Sequence, residues 1–216
     1  MGQGPGKPPG PKTARPENRR EVSWKFAMSM ASVAEFVENI RALYAEDPDP
    51  AVVWPQARAP MTALLADAEL IESARDWPVS AHENLLFYED PDHGFVLNGL
   101  IKAPGQTTRI HDHAHVWVLY GVLTGGEEIV KFKRTDDGAV SDLARVHEAK
   151  RRNVGPGAMD IIKPWSIHAE EAGEEGSVAV ILRSEKPGGF LQGRYDTETG
   201  KYWQGRGVRQ IPYPLI

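Results

Sequence analysis

The chain has 216 residues, 41% of them hydrophobic and 25% charged, so it can bury a sizeable core without covalent cross-links. It contains no cysteine, which excludes disulfide scaffolds, thiolate metal sites and cysteine nucleophiles. Residues 1–20 carry a net charge of +4, so the other 196 residues carry −9, and this acidic body argues against nucleic-acid binding. The apolar run from Val116 to Leu123 is too short to span a membrane, and no secretory signal is visible, so we expect a cytoplasmic protein that does not contact membranes.

The N-terminal part of the chain divides into two segments. Residues 1–22 are rich in glycine, proline and basic residues and predict a disordered tail. This tail is either functional or upstream of a true start at Met28 or Met30. Residues 23–78 predict a helical extension, because apolar residues recur at helical spacing from Val33 to Tyr44 and again over 51–58 and 61–73.

Residues 79–216 predict a second, all-β domain. Short β-branched and aromatic runs alternate there with turn signals such as Pro104-Gly105, Thr124-Gly125-Gly126 and Gly173–Gly176. No long helix separates them, which excludes a doubly wound parallel sheet and favours a jelly roll or small barrel. The predicted strands are Asn84–Glu89, Phe95–Lys102, Thr107–His111, Val116–Leu123, Glu128–Arg134, Ala144–Ala149, Ala158–Ile162, Ile167–Glu170 and Val178–Arg183.

Three histidines predict a metal site. His111 and His113 are two residues apart at the end of a predicted strand, so both imidazoles can point to the same face. His168 follows a proline turn about 55 residues later, at the start of another strand. Three neutral imidazoles suit a first-row divalent ion, and iron, zinc and nickel all fit such a ligand set.

These motifs resemble those of the cupin superfamily, whose fold is a metal-binding double-stranded β-helix, or jelly roll. Gly105, five further residues and then His111-x-His113 match its first motif, and Gly157 to His168 resembles its second. The glutamate of the first motif is absent, since Trp117 and Val118 occupy the candidate positions. The resemblance therefore implies an all-β cupin jelly roll with an N-terminal helical extension, which binds metal through histidines alone.

A cupin with three histidines and no motif glutamate is similar to the thiol dioxygenases, a family of cysteine and mercaptopropionate dioxygenases. The segment leading into Ile110-His111-Asp112-His113 and the closing Tyr195–Gly200 also resemble that family. Its serine–histidine–tyrosine triad is missing, with Val180, Leu182 and Ser184 at the matching alternate positions. The resemblance thus implies a metal site but leaves the substrate open.

Five residues are candidates for contacts around the metal. Arg109 shares the strand parity of His111 and can bind a substrate carboxylate, or form a surface salt bridge. Tyr120 has inward parity and can hydrogen-bond a substrate or reduced oxygen, or only pack the barrel. Trp117 and Leu182 are expected to wall the pocket, and Tyr88 matches a family tyrosine near the substrate. We assign catalytic roles to Arg109 and Tyr120.

The sequence therefore predicts an iron-dependent dioxygenase that resembles the thiol dioxygenases, with Fe²⁺ as cofactor. Its expected partners are a small anionic substrate and dioxygen, and its expected state is a monomer or homodimer. Two alternatives stay open: a non-catalytic cupin that binds a small ligand, and a metal-dependent isomerase or hydrolase on the same site. His115 is expected near the metal without being a ligand, or at the surface.

Overall fold

The computed structural model describes residues 1, 30–79 and 83–216. The predicted tail beyond Met1 and the alternative start at Met28 lie outside these residues. Within the described ranges, none of the helices is long and apolar enough to cross a membrane.

Four helices and a short 3-10 turn precede the sheet. They are α1 (Ala31–Glu46), α2 (Pro50–Gln56), α3 (Arg58–Leu65), α4 (Ala68–Ser73) and the turn Ala74–Asp76. The helix predicted over 61–73 is divided into α3 and α4. Asp67 begins α4, since its side chain accepts a hydrogen bond of 2.7 Å from the backbone N–H of Leu70.

Nine strands follow and form a bent body, in which β1 and β9 pair in parallel and the other strand pairs are antiparallel. They are β1 (Glu83–Glu89), β2 (Val96–Lys102), β3 (Val118–Arg134), β4 (Val146–Val154), β5 (Met159–Ile162), β6 (Ile167–Arg183), β7 (Leu191–Tyr195), β8 (Tyr202–Arg206) and β9 (Arg209–Pro212). The main sheet has the order β4-β3-β6-β2-β1-β9, β5 pairs with β3, and β7 pairs with β8. The predicted class, a jelly roll with an N-terminal helical segment, is confirmed.

The glycine turns predicted at 124–126 and 173–176 are wrong, because both lie inside strands of 17 residues. The chain bends there through irregular pairing, since Gly125 opposes Ser177 whereas Glu127 opposes Ala172. Glycine at position 125 permits a φ of +72° and a close approach, because a Cβ there would lie 2.1 Å from the carbonyl oxygen of Gly176. The glycines therefore bend the paired strands without ending them.

The two faces of the sheet have different surroundings. One face packs against the helices, in a core that joins Phe36, Ile40 and Trp54 to Leu119 and Leu182. The helical segment therefore shares its core with the sheet. The other face lines a cavity, and His111 and His113 are among its lining residues.

Candidate metal centre

His111, His113 and His168 converge as the sequence predicts. All three are buried, and one potential ligand nitrogen from each lies within 4.8 Å of the others. The ring centroids are 4.4 to 5.1 Å apart. Backbone hydrogen bonds of 2.9 Å in both directions join His111 to His168, so the two motifs are held directly side by side. The predicted strand over 107–111 forms only isolated bridges.

Hydrogen bonds at Nδ1 fix how each ring presents its other nitrogen. Nδ1 of His111 lies 2.8 Å from the carbonyl oxygen of Arg109, and Nδ1 of His168 lies 3.2 Å from that of Ser166. A carbonyl can only accept, so both rings carry their proton on Nδ1 and direct the lone pair of Nε2 inward. Nδ1 of His113 lies 2.7 Å from the side-chain nitrogen of Gln192, and the side-chain oxygen of Gln192 accepts a hydrogen bond of 2.8 Å from Arg194.

Asp112 anchors the segment that carries the two neighbouring histidines. Its buried carboxylate accepts hydrogen bonds of 2.8 and 3.0 Å from the backbone N–H groups of Ala114 and Gly193. The hydroxyl of Tyr195 donates a third, of 2.6 Å. Gly193 is required at this contact, because a Cβ there would lie 2.2 Å from the Asp112 carboxylate. The β7 strand therefore positions His111 and His113 through the aspartate between them.

Glu170 places a buried carboxylate beside the histidines. Its Oε1 lies 3.2 Å from Nε2 of His168, yet that nitrogen has no hydrogen-bond partner, so the pair is close but not aligned. Its other oxygen accepts a hydrogen bond of 2.7 Å from the hydroxyl of Thr108. Burial opposes ionisation of Glu170, but Lys102 and the neighbouring His168 outweigh it and hold its pKa well below the usual value. The site therefore offers one carboxylate and three imidazoles.

Burial keeps the imidazoles in the form that binds metal. Burial, and then the proximity of His168, lowers the pKa of His111 from 6.5 to about 3. Burial and the two other histidines lower the pKa of His113 well below its usual value. Both rings are therefore neutral at physiological pH, and their lone pairs are free for a metal ion.

Metal-free protein should lose stability as the pH falls below about 6.5, because His111 in the unfolded chain binds a proton there while the folded protein resists it down to about 3. The loss should approach about 1.4 kcal/mol per pH unit for each of His111 and His113. Urea denaturation of chelator-treated protein across this range measures it. The double variant His111→Gln/His113→Gln should have a flatter profile, and an unchanged slope in that variant would contradict the assignment.

The cavity beside the histidines has a volume of about 490 Å³. Its wall combines apolar side chains with charged ones, most of which are basic. The cationic lining residues are Lys102, Arg109, Arg183, Arg194 and Arg206, and the acidic ones are Glu83 and Glu170. Although the body of the protein is acidic, this interior surface is positively charged.

A fully buried polar network lies at one end of the cavity. Lys102 donates hydrogen bonds of 3.0 Å to both Glu127 and the hydroxyl of Tyr120. That hydroxyl donates in turn to Oε1 of Glu127 at 2.6 Å, and Ser177 donates to the same oxygen at 2.7 Å. Tyr120 lines the cavity, as its parity predicts. Its proton is held by Glu127, so it has no hydrogen to donate to a substrate.

Arg109 also lines the cavity, whereas the predicted contact residues Trp117, Tyr88 and Leu182 do not. Trp117 is partly buried and packs against the core between sheet and helices. The hydroxyl of Tyr88 contacts Arg41 and Asp90, away from the histidines. His115 is a surface residue, with a side chain 59% exposed and 2.9 Å from Glu185.

The assignment of Leu182 to the pocket wall is corrected, because Leu182 packs on the helical side. Strand β6 faces the cavity with an even-numbered residue at Glu170 but with odd-numbered ones at Ile181 and Arg183. The bulge between Ala172 and Ser177 shifts the parity. Strict alternation of side chains along a strand does not reveal such a shift. It therefore predicts Leu182 at the cavity, where the structure places the neighbouring Arg183.

Most of the cavity residues lie outside the predicted set, among them Lys102, Glu170, Arg183 and Gln192. A signal for Glu170 was present, because it lies two residues after His168 and therefore on the same face of a strand. Lys102 and Gln192 reach the site through contacts between distant strands, and no local pattern marks them.

No protein family profile matches the chain. Structural similarity is found to oxalate oxidase in complex with the substrate analogue glycolate, with 20% identity and a TM-score of 0.35, covering 43% of this chain and 42% of that one. It is also found to the cupin domain of Schizosaccharomyces pombe Cnp3, with 10% identity and a TM-score of 0.37, covering 48% and 64% of the two chains. KdgF from Halomonas sp. has 15% identity and a TM-score of 0.38, covering 48% and 78%.

These matches concern the β-sheet architecture. The chain spans less than half of the oxalate oxidase chain that it matches. None of the activities of these proteins is transferred to this chain.

Proposed function

We propose that this protein is a mononuclear non-haem iron dioxygenase that adds dioxygen to a small thiol or organic acid. The observation that carries the proposal is the group of three buried histidines, which converge beside a cavity large enough for such a substrate, with His111 and His113 in its wall. Two of the rings are held by backbone carbonyls in the tautomer that a metal requires.

The donor set fits a divalent metal ion. Nε2 of His168 is buried without a hydrogen-bond partner, because in this tautomer its lone pair faces the ionised Glu170, which can only accept. A metal ion that both groups face removes this cost, because it accepts the lone pair of the imidazole and the charge of the carboxylate. We therefore propose Glu170 as a fourth ligand beside His111, His113 and His168. When bound, a ferrous ion supplies electrons and open coordination positions where an acid and dioxygen can react.

The surrounding residues have separate tasks. Thr108 holds one oxygen of Glu170 and leaves the other turned towards the histidines. Tyr120 and Lys102 are bound to Glu127, so they shape and charge the cavity without exchanging protons with a substrate. Arg109 lines the same cavity and binds an anionic group of the substrate.

The test combines metal identification with oxygen consumption. Protein purified without chelators should contain iron, and an oxygen electrode should record uptake with 3-mercaptopropionate or another small acid from a panel of thiol acids and hydroxy acids. The His113→Ala variant should contain no iron and should show no oxygen uptake. Protein that holds zinc or nickel and turns over a substrate without oxygen would contradict the proposal and favour an isomerase or hydrolase.

Replacing Glu170 by glutamine should weaken metal binding by about 100-fold or more, because an amide is a poor ligand and loses the carboxylate charge. The visible spectrum of the Co²⁺-substituted protein should change as well. Glu171→Gln is the matched control, since that neighbouring side chain is exposed. An E170Q protein with wild-type Co²⁺ affinity and spectrum would show that the carboxylate does not reach the metal.

A further inference from the structure

Arg183 is a buried cation without a counter-ion. It lies near the end of β6, is 5% exposed and lines the cavity. One of its terminal nitrogens donates to the neutral side chain of Asn98, and its Nε has no hydrogen-bond partner. Throughout residues 30–79 and 83–216, no carboxylate lies within ion-pair distance of it.

Such an arrangement is costly for the protein alone. An unpaired buried charge destabilises the folded state, and replacement by an apolar residue would remove that cost. Burial lowers the pKa of Arg183 to about 10, which still leaves it charged at neutral pH. The structural role of the side chain is one bond to Asn98, which does not require a guanidinium.

Among the described residues, the other charges in the cavity form no ion pair with Arg183, although the charge of Glu170 acts over a longer distance and partly offsets the effect of burial on the pKa of Arg183. Lys102 has its own partner in Glu127, at 3.0 Å. Glu170 is held by Thr108 and faces His168. The remaining lining cations add to the excess of positive charge. Two of them lie near each other, since the charge of Arg109, after burial, lowers the pKa of Arg194. The cavity is thus built with more positive than negative charge.

The guanidinium lines the same cavity as two of the histidines. Arg183 pairs across the sheet with Val118, and both residues line the cavity together with His111 and His113. An anion on Arg183 therefore lies in the cavity that His111 and His113 face.

We propose that Arg183 is the carboxylate anchor of the cavity, and that its ligand is a small organic acid whose carboxylate pairs with Nε and a terminal nitrogen of this guanidinium. The planar fork of arginine matches the two oxygens of a carboxylate, and burial strengthens the pair. The identification of this acid as the substrate rests on the proposed function, whereas its binding to Arg183 does not. A carboxylate held there leaves a second donor atom on the acid free to face the histidines.

Isothermal titration calorimetry of the full chain with malonate tests the anchor. Malonamide is the matched probe, because it has a similar shape and no charge. Chelator-treated and Zn²⁺-loaded protein are titrated separately, which distinguishes binding to Arg183 from binding to a metal. Both forms should bind malonate and not malonamide, and Arg183→Met should weaken malonate binding by at least about tenfold in both.

Arg145→Met, at an exposed position outside the cavity lining, should bind malonate as the wild type does. If the Met variant fails to fold by circular dichroism, Arg183→Lys replaces it and should still bind several-fold more weakly, because the fork is lost. Wild-type affinity in the folded Arg183 variant, no binding by the wild type, or binding seen only with Zn²⁺ would each overturn the proposal. Tighter binding of inorganic phosphate than of malonate would also overturn it.

A protein that binds malonate through Arg183 but retains no metal would refute the proposed function and leave the anchor intact. A protein that retains iron but binds malonate equally well without Arg183 would refute the anchor and leave the proposed function intact.

Discussion

Protein carrying His168→Ala should retain almost no divalent metal after dialysis, with an affinity more than about 100-fold below that of the wild type. Loss of residues that only support a ligand costs 10- to 100-fold, and loss of the ligand itself should cost more. His168 is also the residue through which the two histidine motifs meet, by paired backbone hydrogen bonds with His111. Those bonds use the main chain, so the alanine variant should keep its fold.

Metal content by inductively coupled plasma mass spectrometry and competition with a chromophoric chelator measure this loss. His115→Ala is the matched control, because its side chain is 59% exposed and pairs with Glu185 at the surface. Equal retention of metal by the two variants would exclude the three-histidine centre.

The second large effect is expected in stability. Glu127→Gln should lower the free energy of unfolding by about 3 kcal/mol, because it leaves the charge of Lys102 buried without its partner. Both side chains of this pair are 0% exposed. The hydroxyls of Tyr120 and Ser177 donate to one oxygen of Glu127, which the glutamine retains, so the loss reports the ion pair.

The double variant Lys102→Met/Glu127→Gln should recover at least half of this loss, since no charge is then left unpaired. The matched control is the neighbouring Glu128→Gln, whose partner Arg151 is at the surface, and it should cost less than about 1 kcal/mol. Urea denaturation measures all three proteins. Losses that simply add in the double variant would show that Lys102 and Glu127 are not coupled.

The convergence of the three histidines could be predicted because its signal is local. Two histidines separated by one residue share a face of an extended segment, and a glycine turn lies before each motif. The same reasoning applied to His168 predicts that the residue two positions later, Glu170, shares its face of the strand.

The anion-binding side of the cavity could not be predicted in the same way. Arg183 faces the cavity only because of the bulge after Ala172, and a bulge has no reliable signature beyond its glycines. Lys102, Tyr120 and Glu127 meet across two strands, at a distance that only the folded sheet determines. Strand parity predicts Tyr120 at the cavity, but it does not show that the hydroxyl of Tyr120 donates to Glu127.

The bulge between Ala172 and Ser177 also makes the two halves of β6 independent of each other in evolution. His168 and Glu170 lie on one side of this joint, and Arg183 lies on the other. Loss or gain of a single codon within the joint would turn Leu182 into the cavity and Arg183 towards the helices, without moving His168 or Glu170. One change of length would thereby replace a charged side chain of the cavity lining by an apolar one, while the three histidines keep their places.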